Sequence, residues 1–187
     1  MPGPVVQRGD RVTFRTLERS DAEFQQRAAT DPRFRYVLGM PESKNAEESE
    51  ALIENRSERD NVWSFLVCLD GEGADAGHVD EREPTPVGMV HAFGVDSERA
   101  YLAYWLLPEF HGEGYGREAA ELLVDTVFRT APVRSVGAGA FEHNDASRGL
   151  LESLGFTLEY RKREAEYVDG EYRDFVDYGL LRREWES

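Results

Sequence analysis

The stretch "AYLAYWLLPEFHGEGYGREAAELLVDTVFRTAPVRSVGAGAF", residues 100–141, decides the fold. Residues 100–107 are an apolar, aromatic-rich run that predicts a strand, and Pro108 ends it. Residues 116–129 carry Ala119, Ala120, Leu123, Val124 and Val127 at helical spacing. Residues 135–141 predict a second, short strand. Strand, turn, helix and strand make a βαβ unit, which sets Gly112, Gly114 and Gly116 at the start of the crossover helix. A helix N-terminus presents unpaired N–H groups and about half a positive charge. Glycines on alternate positions let an anion reach those groups without interference from Cβ. "HGEGYG" therefore reads as a phosphate cradle built mostly of backbone, with Arg117 adding a charge-assisted contact. It is not the GxxxxGK[ST] loop of nucleoside triphosphate enzymes, and GxGxG does not match the dinucleotide fingerprint GxGxxG.

Outward from this unit, elements alternate. Residues 11–17 predict a strand, followed by a short helix capped at Ser20 or Asp21. Residues 45–58 predict a polar surface helix anchored by Ala51, Leu52 and Ile53. Residues 62–69 and 87–95 are strands, joined by a long acidic connection over 70–86. His78 in that connection reads as a solvated loop histidine, and no metal site is expected. Residues 144–155 form a compact helix with Asn144 as cap, Leu150, Leu151 and Leu154 inward and Gly155 at its end. The tail is two long strands around Asp169-Gly170, a strong hairpin signal. The order is that of one α/β or α+β domain spanning 1–187, a mixed sheet with helices on its faces.

Composition narrows the partners. Lys+Arg is 22 and Asp+Glu is 37, a net charge of −15, and the only lysines are Lys44 and Lys162. Phosphate-driven nucleic-acid binding needs a basic face, so no nucleic-acid partner is expected, and no anionic membrane. The acidic, lysine-poor surface resembles that of proteins from salt-loving organisms, where a Debye length of about 3 Å at 1 M screens self-repulsion. The start "MPGPVVQRGDR" lacks a basic segment followed by an apolar one, so no signal peptide is expected. The one cysteine, Cys68, reads as a small core residue and fits a reducing, cytoplasmic setting.

"HGEGYG" resembles the [QR]-x-x-G-x-[GA] signature of the GNAT acetyltransferase superfamily, with His111 where the family usually has Gln or Arg. "YWLLPEFHGEGYG", "NDASRGLLESLGF", the closing hairpin "YVDGEYRDFVDYGLLRREW" and the opening "RVTFRTLERSDAE" are similar to segments of the RimJ/RimL-like branch. The likeness spans nearly the whole chain except 70–86. It implies a mixed, mostly antiparallel twisted sheet flanked by helices, with the βαβ unit binding acetyl-CoA. The resemblance implies that the backbone of Trp105, Leu106 and Leu107 meets the pantetheine arm. It implies that His111, Gly112, Gly114, Tyr115, Gly116 and Arg117 hold the pyrophosphate. Asn144 looks like the residue beside the thioester, Ser147 like the donor to the leaving thiolate, and Arg148 like a contact to the 3′-phosphate. The implied partners are acetyl-CoA and an amine, either a protein N-terminus or a small molecule; the sequence leaves a homodimer open.

Direct attack of an amine on a thioester needs positioning, a proton sink for the amine and a donor for the thiolate. The branch often has a Glu before its Tyr-Trp pair. Tyr101 stands at that position here. His91, on the neighbouring strand, is the candidate base, with an ordinary pKa of about 6.5. An α-amine, with a pKa of about 8, is easier to reconcile with a weak base than a lysine amine at about 10.4. Two alternatives stay open at this point: an acetyl-CoA sensor that lacks catalysis, and an interaction domain without a ligand.

Overall fold

The computed structural model describes residues 2–36, 38–39, 42–57, 59–69 and 84–185. Its strands are β1 (Val5–Arg8), β2 (Val12–Thr16), β3 (Val62–Leu69), β4 (Thr85–Phe93), β5 (Arg99–Leu106), β6 (Ser135–Phe141), β7 (Thr157–Val168) and β8 (Glu171–Leu181). Its helices are α1 (Ala22–Thr30), α2 (Pro32–Arg35), α3 (Ala46–Ser57), α4 (Tyr115–Thr130), α5 (Asp145–Ser153) and α6 (Arg182–Trp185). The strands form one sheet in the order β1-β2-β3-β4-β5-β6-β8-β7. Among the described strands only β5 and β6 pair in parallel, across the α4 crossover. All other neighbours are antiparallel. This is the mixed, mostly antiparallel sheet that the resemblance implied.

Period-2 alternation gives the sheet two unlike faces. Val12, Phe14, Val67, Val90, Leu102, Val136, Ala138 and Tyr178 pack with Leu123 and Val127 of α4 and Leu151 of α5 in one core cluster. Each fully buried aliphatic side chain there contributes roughly 1.5–3 kcal/mol. The opposite face carries Leu66, Cys68 and Met89 against Phe24, and Leu107 against Phe34. Cys68 is fully buried, as its apolar surroundings suggested.

Three differences from the sequence reading have physical causes. The inward residues of α3 are Ser49 and Ile53, whereas Ala51 is exposed. Ser49 tolerates burial because its hydroxyl donates back to the Asn45 carbonyl at 2.9 Å. β4 begins at Thr85, so Pro86 lies within it. Pairing with β5 starts only at Gly88, and a register shift in β3 falls beside Pro86, so no ladder donor is lost there. β1 is an added strand whose short segment lacks a clear alternation. The tail hairpin turns at Asp169 (φ 51°) and Gly170 (φ 80°), the left-handed pair that the Asp-Gly signal requires. Residues 70–83, including His78, lie outside the described residues.

Candidate active site

β5 and β6 pair from Arg99–Ser135 to Leu102–Ala138 and then part. Beyond that point β5 continues against β4 and β6 continues against β8. A wedge opens between them, and the loop from β5 to α4 stands at its head.

The loop is shaped by backbone. Gly112 and Gly114 have φ of 86° and 85°, the left-handed region that favours glycine. Gly114 is the N-cap of α4 and offers no side-chain cap, so the helix's first N–H groups face outward. A Cβ on Gly112 would meet nothing within 4 Å. Gly116 has an ordinary backbone, and a Cβ there would make only ordinary contacts with Leu106 and Leu150. Turn geometry thus accounts for two of the glycines, and the third keeps the first helical turn slim.

The side chains expected to support an anion are mostly engaged elsewhere. His111 Nε2 is hydrogen-bonded to the Leu106 carbonyl at 2.9 Å, which turns the ring back toward β5. Arg117 donates to Ser153 Oγ at 2.7 Å, tying α4 to α5. Arg148 donates to the Glu142 carbonyl at 3.0 Å and pairs with Asp145 at 3.3 Å, which holds it at the root of α5. The Leu107 N–H is bonded to the Val87 carbonyl at 2.8 Å. The Trp105 ring lies on the sheet face away from α4, stacked on Phe24 and edge-on to Phe34.

Sequence reading missed Arg11. Its guanidinium lies over the Tyr115 ring at 4.9 Å and donates to the Glu113 carbonyl at 2.8 Å. A Cβ on Gly114 would come within 3.0 Å of its Nη2. Glu118, in the first turn of α4, fixes Arg11 by accepting from its backbone N–H at 2.6 Å and its Nε at 3.0 Å. The contact spans more than a hundred residues, and no local pattern near Arg11 announces it.

Two side chains meet beneath the wedge on the α4 face. Ser147 Oγ and Tyr104 Oη are 3.2 Å apart. Asn144 caps α5, its Oδ1 accepting from the Ser147 N–H at 3.1 Å, and so places Ser147 in the first turn. Burial pushes the Tyr104 phenol up to about 12 against the opposing hydrogen bond from Ser147, so the pair stays protonated near neutrality. Tyr104 was not among the expected site residues.

His91 does not suit the role of base. It is 3% exposed, its Nδ1 is 2.9 Å from Ser64 Oγ, and its Nε2 faces Arg56. Burial first, and then the Arg56 charge, lower its pKa to about 3. Such a ring is a poor proton sink for an amine. Tyr101, where the branch often has Glu, donates instead to Asp177 Oδ1 of β8 at 2.7 Å. A shallow depression at the far end of α4, lined by Phe128, Ala131 and Val133, is where Arg182 caps the helix carbonyls, and it lies away from these groups.

Residues 11–157 match the family described as "Acetyltransferase (GNAT) domain". The "Putative ribosomal N-acetyltransferase YdaF" of Bacillus subtilis (strain 168) is 28% identical over 81% of this chain and 93% of its own length. The spermidine N(1)-acetyltransferase of Escherichia coli (strain K12) is 25% identical over 93% and 88% respectively. Among solved structures, the spermidine N-acetyltransferase from Vibrio cholerae in complex with CoA and spermine superposes with a TM-score of 0.82 at 18% identity, covering 95% of this chain and 99% of that one. This last likeness is one of fold.

Proposed function

The chain belongs to the GNAT acetyltransferase family, whose co-substrate is acetyl-CoA, and on that premise we propose that it acetylates primary amines, with a protein N-terminal α-amine favoured over a small-molecule amine. The observation that carries the reading is the wedge between β5 and β6, with the open start of α4 at its head and the Tyr104–Ser147 hydroxyl pair beneath. The residues fit the cofactor. The outward N–H groups of Tyr115, Gly116 and Arg117 and the open space over Gly112 suit a pyrophosphate, and Arg11 adds positive charge beside Gly114.

Acetyl-CoA supplies an activated acetyl thioester. The chain's own groups do the rest. The wedge holds amine and thioester together. The Ser147 hydroxyl, backed by Tyr104, gives a proton to the departing sulfur. Asn144 positions Ser147 through the helix cap. His111, Arg117 and Arg148 shape this region through their hydrogen bonds to Leu106, Ser153 and Glu142.

The preference for an α-amine rests on pKa matching, since an amine at about 8 is partly neutral near pH 7.5. The relatives named for ribosomal and for spermidine substrates support amine transfer and leave both amine classes in play. We further infer that the net charge of −15 is an adaptation to molar salt, and that the enzyme works in a reducing cytoplasm. Calorimetric titration of acetyl-CoA in molar KCl tests the reading, followed by a screen of α-amines and polyamines. Binding and turnover of an α-amine are expected. A well-folded protein that binds no acetyl-CoA would overturn it.

A further inference from the structure

The carboxylate that β5 lacks stands two strands away on the same face. Tyr101 lies opposite Gly137 of β6, and Gly139 lies opposite Asp177 of β8. Directly opposed residues share a face, so Tyr101, Gly139 and Asp177 all point away from α4. The Tyr101 ring leans forward across β6, and a Cβ on Gly139 would come within 2.3 Å of its hydroxyl. The bare Gly139 is what lets the phenol reach Asp177 Oδ1 at 2.7 Å.

Asp177 is 3% exposed, and its Oδ2 has no hydrogen-bond partner among the described residues. A buried carboxylate with one oxygen unpaired is costly, and an apolar side chain of similar volume would serve the fold better. Such a group calls for a functional account. Its location provides one. β5 and β6 stop pairing at Leu102–Ala138, and Gly139 is the next residue of β6. The Tyr101–Asp177 pair thus stands at the start of the wedge on one face, while Tyr104–Ser147 stands on the other. A proton acceptor and a proton donor flank the same opening.

We infer that Asp177, reached through the Tyr101 hydroxyl, is the proton sink for the acceptor amine. This inference rests on the acetyl-transfer reading above. The acceptor binds as an ammonium against Tyr101 Oη. One of its protons passes to Tyr101 Oη as the tyrosine's own proton passes to Asp177 Oδ1, leaving a neutral amine and a neutral tyrosine. Asp177, itself buried, gives that proton up through the half-buried Tyr101 hydroxyl to solvent water in the wedge. The amine nitrogen then bonds to the acetyl carbon and the carbon–sulfur bond breaks. The second proton shed by nitrogen leaves by the same route. The thiolate takes its proton from the Ser147–Tyr104 pair, which is refilled from solvent. Burial first, with the hydrogen bond to Asp177 adding to it, pushes the Tyr101 phenol up, so it relays protons without resting as a phenolate.

The test uses Asp177→Asn and Tyr101→Phe in the full chain, with alaninamide as acceptor. Acetyl-CoA affinity should match wild type in both. At pH 7, Asp177→Asn should lower kcat about 100-fold, with recovery toward wild type at pH 9.5, where the amine is already neutral. Alaninamide binding to the protein saturated with CoA, read by calorimetry without turnover, should weaken about tenfold at pH 7 and not at pH 9.5. Tyr101→Phe should show the same pH pattern. Wild-type kcat in both variants at pH 7, or a loss independent of pH, would overturn the assignment. Loss of acetyl-CoA binding in Asp177→Asn would overturn it too, by making the carboxylate a determinant of the fold. A wild-type protein that binds no acetyl-CoA would sink the transfer reading and this inference together, whereas wild-type turnover with unaffected variants would sink the inference alone.

Discussion

The two sides of the wedge are built by different means. On the α4 side the framework is local, with Arg11 and Tyr104 joining it from distant segments: a glycine loop over 111–116 opens one helix, and Asn144 caps the helix that carries Ser147. On the other side Tyr101 and Asp177 are 76 residues apart and meet only because a glycine strand lies between them. The first side depends on backbone conformation, which glycines and caps signal within a few residues. The second depends on strand order and register, which no short segment encodes.

Five substitutions would sharpen or break that contrast. The largest effect is expected from Gly114→Asp. It forces a side chain into a left-handed position beside Arg11 and brings a negative charge to the start of α4. Acetyl-CoA affinity should fall on the order of 100-fold or more by calorimetry. Unchanged affinity would mean that the loop serves the turn alone. Gly139→Ala comes next, on the other side. Its Cβ would fall 2.3 Å from both Tyr101 Oη and Phe175 Cε1. A loss of about 1–3 kcal/mol in denaturant unfolding is expected, with acetyl-CoA binding retained and amine turnover reduced. If turnover survived, the glycine strand would have no part in the acceptor side.

Ser147→Ala should cost about tenfold in kcat, with Tyr104 left to supply the proton, Tyr104→Phe alone no more than about twofold, and the two together about 100-fold. Additive, independent losses would break the idea of a shared donor. His91→Gln should have the smallest effect on rate, within about twofold, and should leave the pH–rate profile unmoved. Its effect belongs to stability. A folded pKa of about 3 against an ordinary 6.5 means that the unfolded chain takes up a proton first as pH falls. Stability linked to His91 is therefore present above about 6.5 and is lost as pH falls toward 3, by a few kcal/mol in all. Acid unfolding should be shallower in His91→Gln. An acid limb near 6.5 in wild-type kcat/KM that vanished in the variant would return His91 to the chemistry.

Much of the architecture was legible. Residues 62–69 and 135–141 coincide with β3 and β6, and α4 extends the predicted 116–129 by one residue at each end. Asn144 caps α5 as its residue type suggested, because a short acceptor before an amphipathic run has few other uses. Arg148, in contrast, is expected at the 3′-phosphate only through the resemblance, and its contacts to the Glu142 carbonyl and the Asp145 carboxylate are ones that no sequence pattern announces. The expectation for His91 assumed an ordinary environment, and burial removes it.

The sequence by itself determined the βαβ unit, the glycine loop at a helix start, the capped helix bearing Ser147 and the closing hairpin, since each rests on interactions within one or two turns of chain. Only the tertiary structure decided that Arg11 stands beside Gly114, that Tyr104 backs Ser147, and that Tyr101 on β5 reaches Asp177 on β8. Those contacts depend on which strands become neighbours, and that choice is settled by burying both sheet faces at once rather than by any segment's own preference.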